Sequence, residues 1–130
     1  MNSFFLSPAE AVIIITSLLT KGDFETLSGY YDLSGSEVKR SELVSGDFFI
    51  RNTPPEVGHP GGFWKYKHPF APGFKYTGHH STDREGVYIV EVGITIDQGK
   101  GVPVQRGFSS FYMVKSEKGW QVLPDEVVEK

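Results

Sequence analysis

The sequence predicts a single α+β domain in which N-terminal helices pack on a curved antiparallel sheet. Three runs of apolar and β-branched residues lie in its last third, at 87–96, 104–115 and 120–123, with short polar, glycine-containing breaks between them. Connections of this kind join antiparallel strands into a meander. In the first run every even position is apolar and the odd positions are mixed, so one face of the sheet is directed at the core. Upstream, a capped apolar helix at 8–21 is available to cover that face.

The length and composition of the chain exclude several classes of function. At 130 residues the chain is expected to form one domain that spans 1–130. The absence of cysteine excludes disulfides and thiolate metal sites, and it agrees with a cytoplasmic location, which we expect. A net charge of −3 without any basic run argues against a nucleic-acid partner. Aromatic residues make up 14% of the chain, a share that favours a ligand pocket or an interface.

The first helix has clear start and stop signals. Ser7 is a capping residue, Pro8 suits the first helical position, and Glu10 completes a capping box. Gly22 offers a left-handed end. The apolar run at 11–19 is too short to span a bilayer and no positive charge precedes it. We therefore predict a core helix and expect neither a signal peptide nor a membrane partner.

The next segment predicts two shorter helices. Asp23 is a second capping candidate, and helical spacing of apolar residues continues to about Asp32. Ser36 could cap a third helix that runs to about Leu43. Residues 48–50 fit either the end of a helix or a short strand.

Residues 52–73 form the irregular part of the chain. They contain five of the eight prolines, and proline removes the backbone donors that regular elements need. Aromatic residues, Trp64 among them, are expected to anchor this segment on the body of the domain. The segment covers either the sheet or the mouth of a cavity, and the sequence leaves both open. Residues 74–81 then predict the first strand of the sheet.

The order of these elements resembles the nuclear transport factor 2-like, or cystatin-like, α+β superfamily. The Lys-Gly-Asp-Phe motif at 21–24 is similar to that superfamily's opening turn, and Lys-Gly-Trp-Gln-Val-Leu at 118–123 is similar to its closing hairpin. The resemblance implies a bent, cone-like sheet wrapped around the long helix, with an apolar cavity, and dimers formed through the sheet. Its members include ketosteroid isomerases, dehydratases, ligand binders and partner-binding modules, so the fold alone does not indicate a function.

One aspartate among apolar residues is a candidate catalytic base. A carboxylate that is desolvated in an aromatic pocket becomes a stronger base, and the resemblance to the isomerases implies that role for Asp47. The alternative is a turn residue within 45–47, where aspartate is common. Tyr30, Tyr31 and Tyr88 are possible partner donors, and their spacing selects none of them.

The second catalytic candidate is His80. It shares strand parity with Phe74 and Tyr76 and is therefore expected to face the cavity, whereas the adjacent His79 points the other way. The alternative is a surface histidine. No two histidines have the i, i+4 spacing of a helical metal site, so no metal is expected.

Aromatic residues are the candidates for the cavity lining. They are Tyr30, Phe49, Trp64, Tyr76 and Tyr88. No convergent polar constellation accompanies them, which favours a non-catalytic module that binds a small apolar ligand or a protein partner in or near the cavity. The alternative is a cofactor-independent isomerase, lyase or dehydratase that acts on a small apolar substrate through Asp47 and His80. Neither hypothesis needs a cofactor, and none is expected.

The outer face of the sheet predicts a homodimer. The strand at 104–115 carries apolar residues on both parities, Phe111 on one and Phe108 on the other, and Phe111 is expected to point outward. A single helix layer covers only one face, and an uncovered apolar face usually marks an interface. The competing explanation is that residues 52–73 fold back over it.

Overall fold

The computed structural model describes residues 3–52, 73–96 and 104–129. The helices are α1 (Pro8–Lys21), α2 (Phe24–Ser28), α3 (Arg40–Val44), α4 (Asp47–Asn52) and α5 (Asp125–Glu129). The strands are β1 (Gly73–Ser81), β2 (Val87–Ile96), β3 (Val104–Ser116) and β4 (Gly119–Leu123). The predicted α+β class is confirmed, with N-terminal helices and an open four-stranded antiparallel sheet in the order β1-β2-β3-β4. Trp64 and most of the irregular segment lie outside the described residues.

The predicted boundaries of α1 are confirmed by its caps. The Ser7 hydroxyl oxygen accepts a hydrogen bond from the Glu10 N–H at 3.1 Å. Gly22 adopts a left-handed conformation with φ 75°, and its N–H donates to carbonyls of the last turn. The helix is buried along one side only, because Ala11 is 0% exposed and Ile13 is 69% exposed.

The short helices differ from their predicted limits. The second helix ends at Ser28 instead of continuing to about Asp32, and the third begins at Arg40 instead of near Ser36. Residues 48–50, ambiguous in sequence, lie in α4. The second helix ends early because the chain after Ser28 runs along β4, where the backbone pairs with a strand and leaves the helical path.

The two faces of the sheet are set by β2, as predicted. Val90 and Val92 are buried on what we call the inner face, which packs on the helices, and Glu91 is exposed on the outer face. The inner face of the sheet, the N-terminal segment and the helices α1 to α4 share one core cluster. That cluster comprises Phe5, Ala11, Val12, Leu27, Tyr31, Leu43, Phe49, Val90, Val92, Met113, Trp120 and Val122.

Two upstream segments pair with the free edge of β4. Phe5 and Trp120 exchange two backbone hydrogen bonds, each of 2.9 Å. Further along, the Val122 N–H donates to the Tyr30 carbonyl and the Asp32 N–H donates to the Val122 carbonyl, again at 2.9 Å. These bonds fix the backbone on either side of Tyr31 against the sheet.

A bulge in β1 changes the side-chain parity of the strand. Tyr76 is paired with Val92, but the next paired residue is Gly78 opposite Glu91, so Thr77 is the extra residue. Beyond this point the parity is inverted. His79, not His80, therefore shares the inner face with Tyr76.

The outer face of the sheet is partly covered by α5. The Val127 carbonyl accepts a hydrogen bond of 2.6 Å from Arg84 Nη1 in the turn between β1 and β2, and α5 contacts β3. Val87, whose register places it on the outer face, is buried there outside the core cluster. The premise that one face stays uncovered is therefore wrong for this end of the sheet.

The two phenylalanines of β3 are distributed differently from the prediction. Phe111 is paired with Val90 and packs against the core on the inner face, so its expected outward direction is wrong. Phe108 is paired with Gly93 on the outer face and is 73% exposed.

Candidate ligand-binding cavity

A cavity of about 530 Å³ lies between the helices and the end of β4. One wall is formed by α1 through Ile15 and Leu19, and the opposite wall is formed by β3 through Phe111. The chain leaves the sheet at Pro124, and this departure leaves space beside β3. The lining is mainly apolar, as is usual for small-molecule sites of this size.

Three aromatic rings form the wall on the helix side. Phe48 and Phe49, adjacent on α4, meet edge to face at 5.4 Å between ring centroids. Tyr31 lies against both, at 5.9 Å from Phe48 and 5.7 Å from Phe49, again edge to face. Edge-to-face contacts are the favoured arrangement of aromatic pairs, so each ring restrains the others. All three rings line the cavity.

Tyr31 is the buried polar side chain of this wall. It is 8% exposed, and its carbonyl accepts a hydrogen bond of 3.2 Å from Arg40 Nη2. Burial, and secondarily the nearby Asp125 carboxylate, raises the pKa of the Tyr31 hydroxyl far above its ordinary value. The hydroxyl therefore keeps its proton at physiological pH and is available as a donor. It makes no hydrogen bond to any residue that the structure describes.

Two charged residues lie where the cavity meets solvent. Asp125 begins α5 and is exposed. Arg51 lies on α4, and its Nη2 is 3.9 Å from Glu42 Oε2, with both side chains well exposed. An exposed pair of this length contributes little to stability. Asp125 and Arg51 both line the cavity, so the described part of the chain contributes one negative and one positive group to it.

The predicted catalytic base is not buried. Asp47 is the first residue of α4 and is exposed. Its N–H donates a hydrogen bond of 3.4 Å to the Ser45 hydroxyl oxygen. A carboxylate in the first turn of a helix is stabilised by the unpaired backbone N–H groups there. Asp47 does not line the cavity, so the burial that the catalytic hypothesis requires is not met.

His80 does not face the cavity either. The bulge in β1 places it on the outer face, paired with Ile89. Its Nδ1 is 3.9 Å from Glu91 Oε1, and the two side chains are 62% and 51% exposed. The expected direction of His80 is therefore wrong, because strict alternation does not continue through a bulge.

The predicted lining residues separate into two groups. Phe49 borders the cavity, and its role in binding stays a prediction. Tyr30 stacks on Phe5, with ring centroids 4.0 Å apart, and is not part of the lining. Tyr76 and Tyr88 also lie elsewhere, on the inner face of β1 and β2.

Tyr76 and Tyr88 belong to a second aromatic cluster that includes His79 and Trp120. The Tyr76 hydroxyl and His79 Nδ1 are hydrogen bonded at 2.5 Å. The His79 ring lies edge-on to Tyr88 at 5.8 Å and to Trp120 at 5.7 Å. Lys115 Nζ is 5.6 Å from the centre of the Trp120 ring. This cluster joins three strands and does not border the cavity.

Sequence reasoning missed most of the residues that border the cavity. Tyr31 was one of three possible donors, and nothing local selects it. Arg51 and Asp125 are polar residues at the ends of short helices and carry no motif. Only the aromatic pair at 48–49 gave a usable signal, because two adjacent aromatic residues are seldom left in solvent.

Comparisons with known proteins give no assignment. A search finds no family model, no curated protein and no solved structure that significantly matches the chain. In the described part of the chain, no three histidine or acidic side chains are grouped as metal ligands would be. None of the helices described has the length and apolar character needed to cross a bilayer.

Proposed function

We propose that this protein binds a small, mostly apolar molecule in the cavity and does not transform it. The observation that carries the proposal is the cavity of about 530 Å³, whose walls are aliphatic and aromatic side chains held by mutual contacts. Ligand pockets typically have volumes of a few hundred Å³ and combine such walls with a few polar groups. Asp47 and His80, the two residues expected to support catalysis, lie away from it.

The fold also supports a proposal about the superfamily of the protein. Helices followed by an antiparallel meander are compatible with the nuclear transport factor 2-like superfamily, and the motifs at 21–24 and 118–123 support the proposal that the protein belongs to it. A protein partner in place of a small ligand is less well supported, because the cavity has walls from α1, α4 and β3, as a pocket for a small molecule does. The cytoplasmic location stays a prediction from composition.

A pair of cavity-filling variants tests the binding proposal. Ile15→Trp places an indole inside the cavity, and Ile13→Trp places the same group on the exposed side of α1. Diphenylhexatriene, a hydrocarbon dye that fluoresces when shielded from water, is the probe. We expect saturable binding to the wild type and to Ile13→Trp, and at least about tenfold weaker binding to Ile15→Trp. Equal binding by two folded variants would show that the dye does not use this cavity, and the proposal would fail.

A second candidate function, isomerisation, is favoured by the pairing of a proton donor with a proton acceptor at the cavity. The Tyr31 hydroxyl, a proton donor, and the Asp125 carboxylate, a proton acceptor, border the same cavity. A donor and a base at one site are the minimum for isomerisation next to a carbonyl group. If the protein catalyses such a step, it will accelerate deuterium exchange at the carbons next to the carbonyl of cyclohexanone in D₂O, and Asp125→Asn will abolish the effect. If deuterium exchange proceeds at the same rate with and without the protein, the isomerase proposal fails and the binding proposal remains.

We also propose that two copies associate through the part of the outer face that α5 leaves open. This area contains the exposed Phe108 and the half-buried Ile89, and beside them lie the His80 ring and the Glu91 carboxylate. A two-fold contact would bring this area of one copy against the same area of the other, which is the commonest arrangement of homodimers.

A further inference from the structure

The hydroxyl of Tyr31 is the polar group on the cavity wall that most needs a partner. The side chain is more than nine-tenths buried and borders the cavity, and the described residues offer its hydroxyl no hydrogen bond. A buried hydroxyl that is left unpaired is costly, and native proteins seldom retain one without water or a ligand to satisfy it. Because no described residue pairs with it, the hydroxyl points to an oxygen or nitrogen acceptor inside the cavity.

The position of Tyr31 is determined by contacts that do not involve its hydroxyl. Its backbone pairs with Val122 and accepts a hydrogen bond from Arg40, and its ring lies against both Phe48 and Phe49. The hydroxyl is consequently presented at one place with little freedom to turn elsewhere. A donor fixed in this way discriminates between ligands because it does not need to be ordered when they bind.

The charges around the cavity indicate which acceptor fits. Asp125 lies close enough to Tyr31 to affect its ionisation, so an anionic ligand group at the hydroxyl would be repelled. Arg51 would offset this only in part, because it is exposed and already lies near Glu42. A cationic group could approach Asp125 but could not accept a hydrogen bond from Tyr31. A neutral hydroxyl group can both accept a bond and donate one.

We propose that the ligand is an apolar alcohol, whose oxygen accepts a hydrogen bond from the Tyr31 hydroxyl and whose O–H donates to the Asp125 carboxylate. This inference rests on the proposed binding function and adds the chemical class of the ligand. The aliphatic part of the alcohol occupies the space between Leu19 and Phe111, where no polar group is required.

The experiment compares three ligands of equal chain length on the full-length protein: 1-octanol, octanoate and octylammonium. Binding of each is measured directly by saturation-transfer NMR and calorimetry, without the dye. We expect 1-octanol to bind at least about tenfold more tightly than either ion. Tyr31→Phe removes only the hydroxyl oxygen. It should weaken the binding of 1-octanol about tenfold and change the affinity for the hydrocarbon dye by less than about twofold.

Tyr30→Phe is the matched control, because Tyr30 is the preceding residue and stacks on Phe5 away from the cavity. It should leave the binding of 1-octanol and the dye unchanged. Should Tyr31→Phe not fold, 1-chlorooctane tests the same bond from the side of the ligand, since it lacks the hydroxyl. It is expected to bind the wild type about tenfold more weakly than 1-octanol.

The outcomes separate the two proposals. Failure of the dye to bind the wild type overturns the binding function. Two results would overturn the alcohol inference alone, provided that the dye binds the wild type. One is tighter binding of octanoate or octylammonium than of 1-octanol, and the other is normal binding of 1-octanol by Tyr31→Phe. An absence of 1-octanol binding overturns the inference whatever the dye does.

Discussion

Gly46 lies directly against the ring of Phe24. A Cβ at Gly46 would be 2.5 Å from the nearest ring atom, and the residue has φ +90°. The Phe24 ring in turn stacks on Phe49 at 5.5 Å, and Phe49 forms part of the cavity wall. The absence of a Cβ at Gly46 therefore leaves room for the Phe24 ring and helps to position the wall of the cavity.

Gly46→Ala is expected to destabilise the protein by two separable effects. The positive φ costs about 1 kcal/mol for a residue with a Cβ, and the overlap with Phe24 costs about 1–3 kcal/mol more. Gly35 is the matched control, because it has φ +79° and nothing within 4 Å of its added Cβ. Urea denaturation of both alanine variants measures the difference. If Gly35→Ala and Gly46→Ala are equally destabilised, the contact with Phe24 does not matter for packing.

The burial of Tyr31 predicts a loss of stability at high pH. Its pKa is raised in the folded state, so the unfolded chain releases the proton first, near pH 10. The stabilising contribution is complete below about pH 10 and is lost as the pH rises further, by at most about 1.4 kcal/mol per pH unit. Tyr31→Phe should remove this part of the pH dependence.

The measurement is the free energy of unfolding of the wild type and of Tyr31→Phe between pH 8 and pH 11. The gap between the two should change only above about pH 10, in the direction that disfavours the wild type. Tyr30→Phe again serves as the control for the loss of one phenol. Parallel curves for the wild type and Tyr31→Phe across the whole range would contradict the assigned burial.

The proposed dimer predicts that a charge at position 108 separates the subunits. Phe108 is 73% exposed on the outer face, so Phe108→Glu should leave the fold intact and convert a species of twice 14.5 kDa into one of 14.5 kDa. Sedimentation velocity at micromolar concentration reads both masses. Ile13→Glu, an equally exposed site on α1, is the control and should stay dimeric. A wild type that sediments as a monomer would exclude the dimer.

Local signals determined the parts of the fold that could be predicted. The caps of α1, the alternation along β2 and the turn at 117–118 depend on residues within a few positions of one another, and their physics is the same in any fold. The resulting α+β class was therefore readable from the sequence. The number and order of strands followed from the same short-range patterns.

Parity beyond the bulge could not be read in this way. Thr77 and Gly78 carry no signal of an extra residue beyond the glycine itself, and the bulge exists only in relation to the partner strand β2. One unpaired residue moved His80 to the outer face and brought His79 to within 2.5 Å of the Tyr76 hydroxyl. A prediction based on strict alternation fails at such a point, however regular the strand is elsewhere.

The sequence by itself determined the class of the fold, the limits of its longest helix and the face of β2 that is buried. Tertiary structure alone decided that Tyr31, among several tyrosines, borders the cavity, because its backbone pairs with Val122 far along the chain. It also decided that Asp125 faces the same space and that Asp47 does not. Such placements depend on which segments, distant in sequence, pack against each other. The free energy of that packing comes from many weak contacts, and no short stretch of sequence contains them.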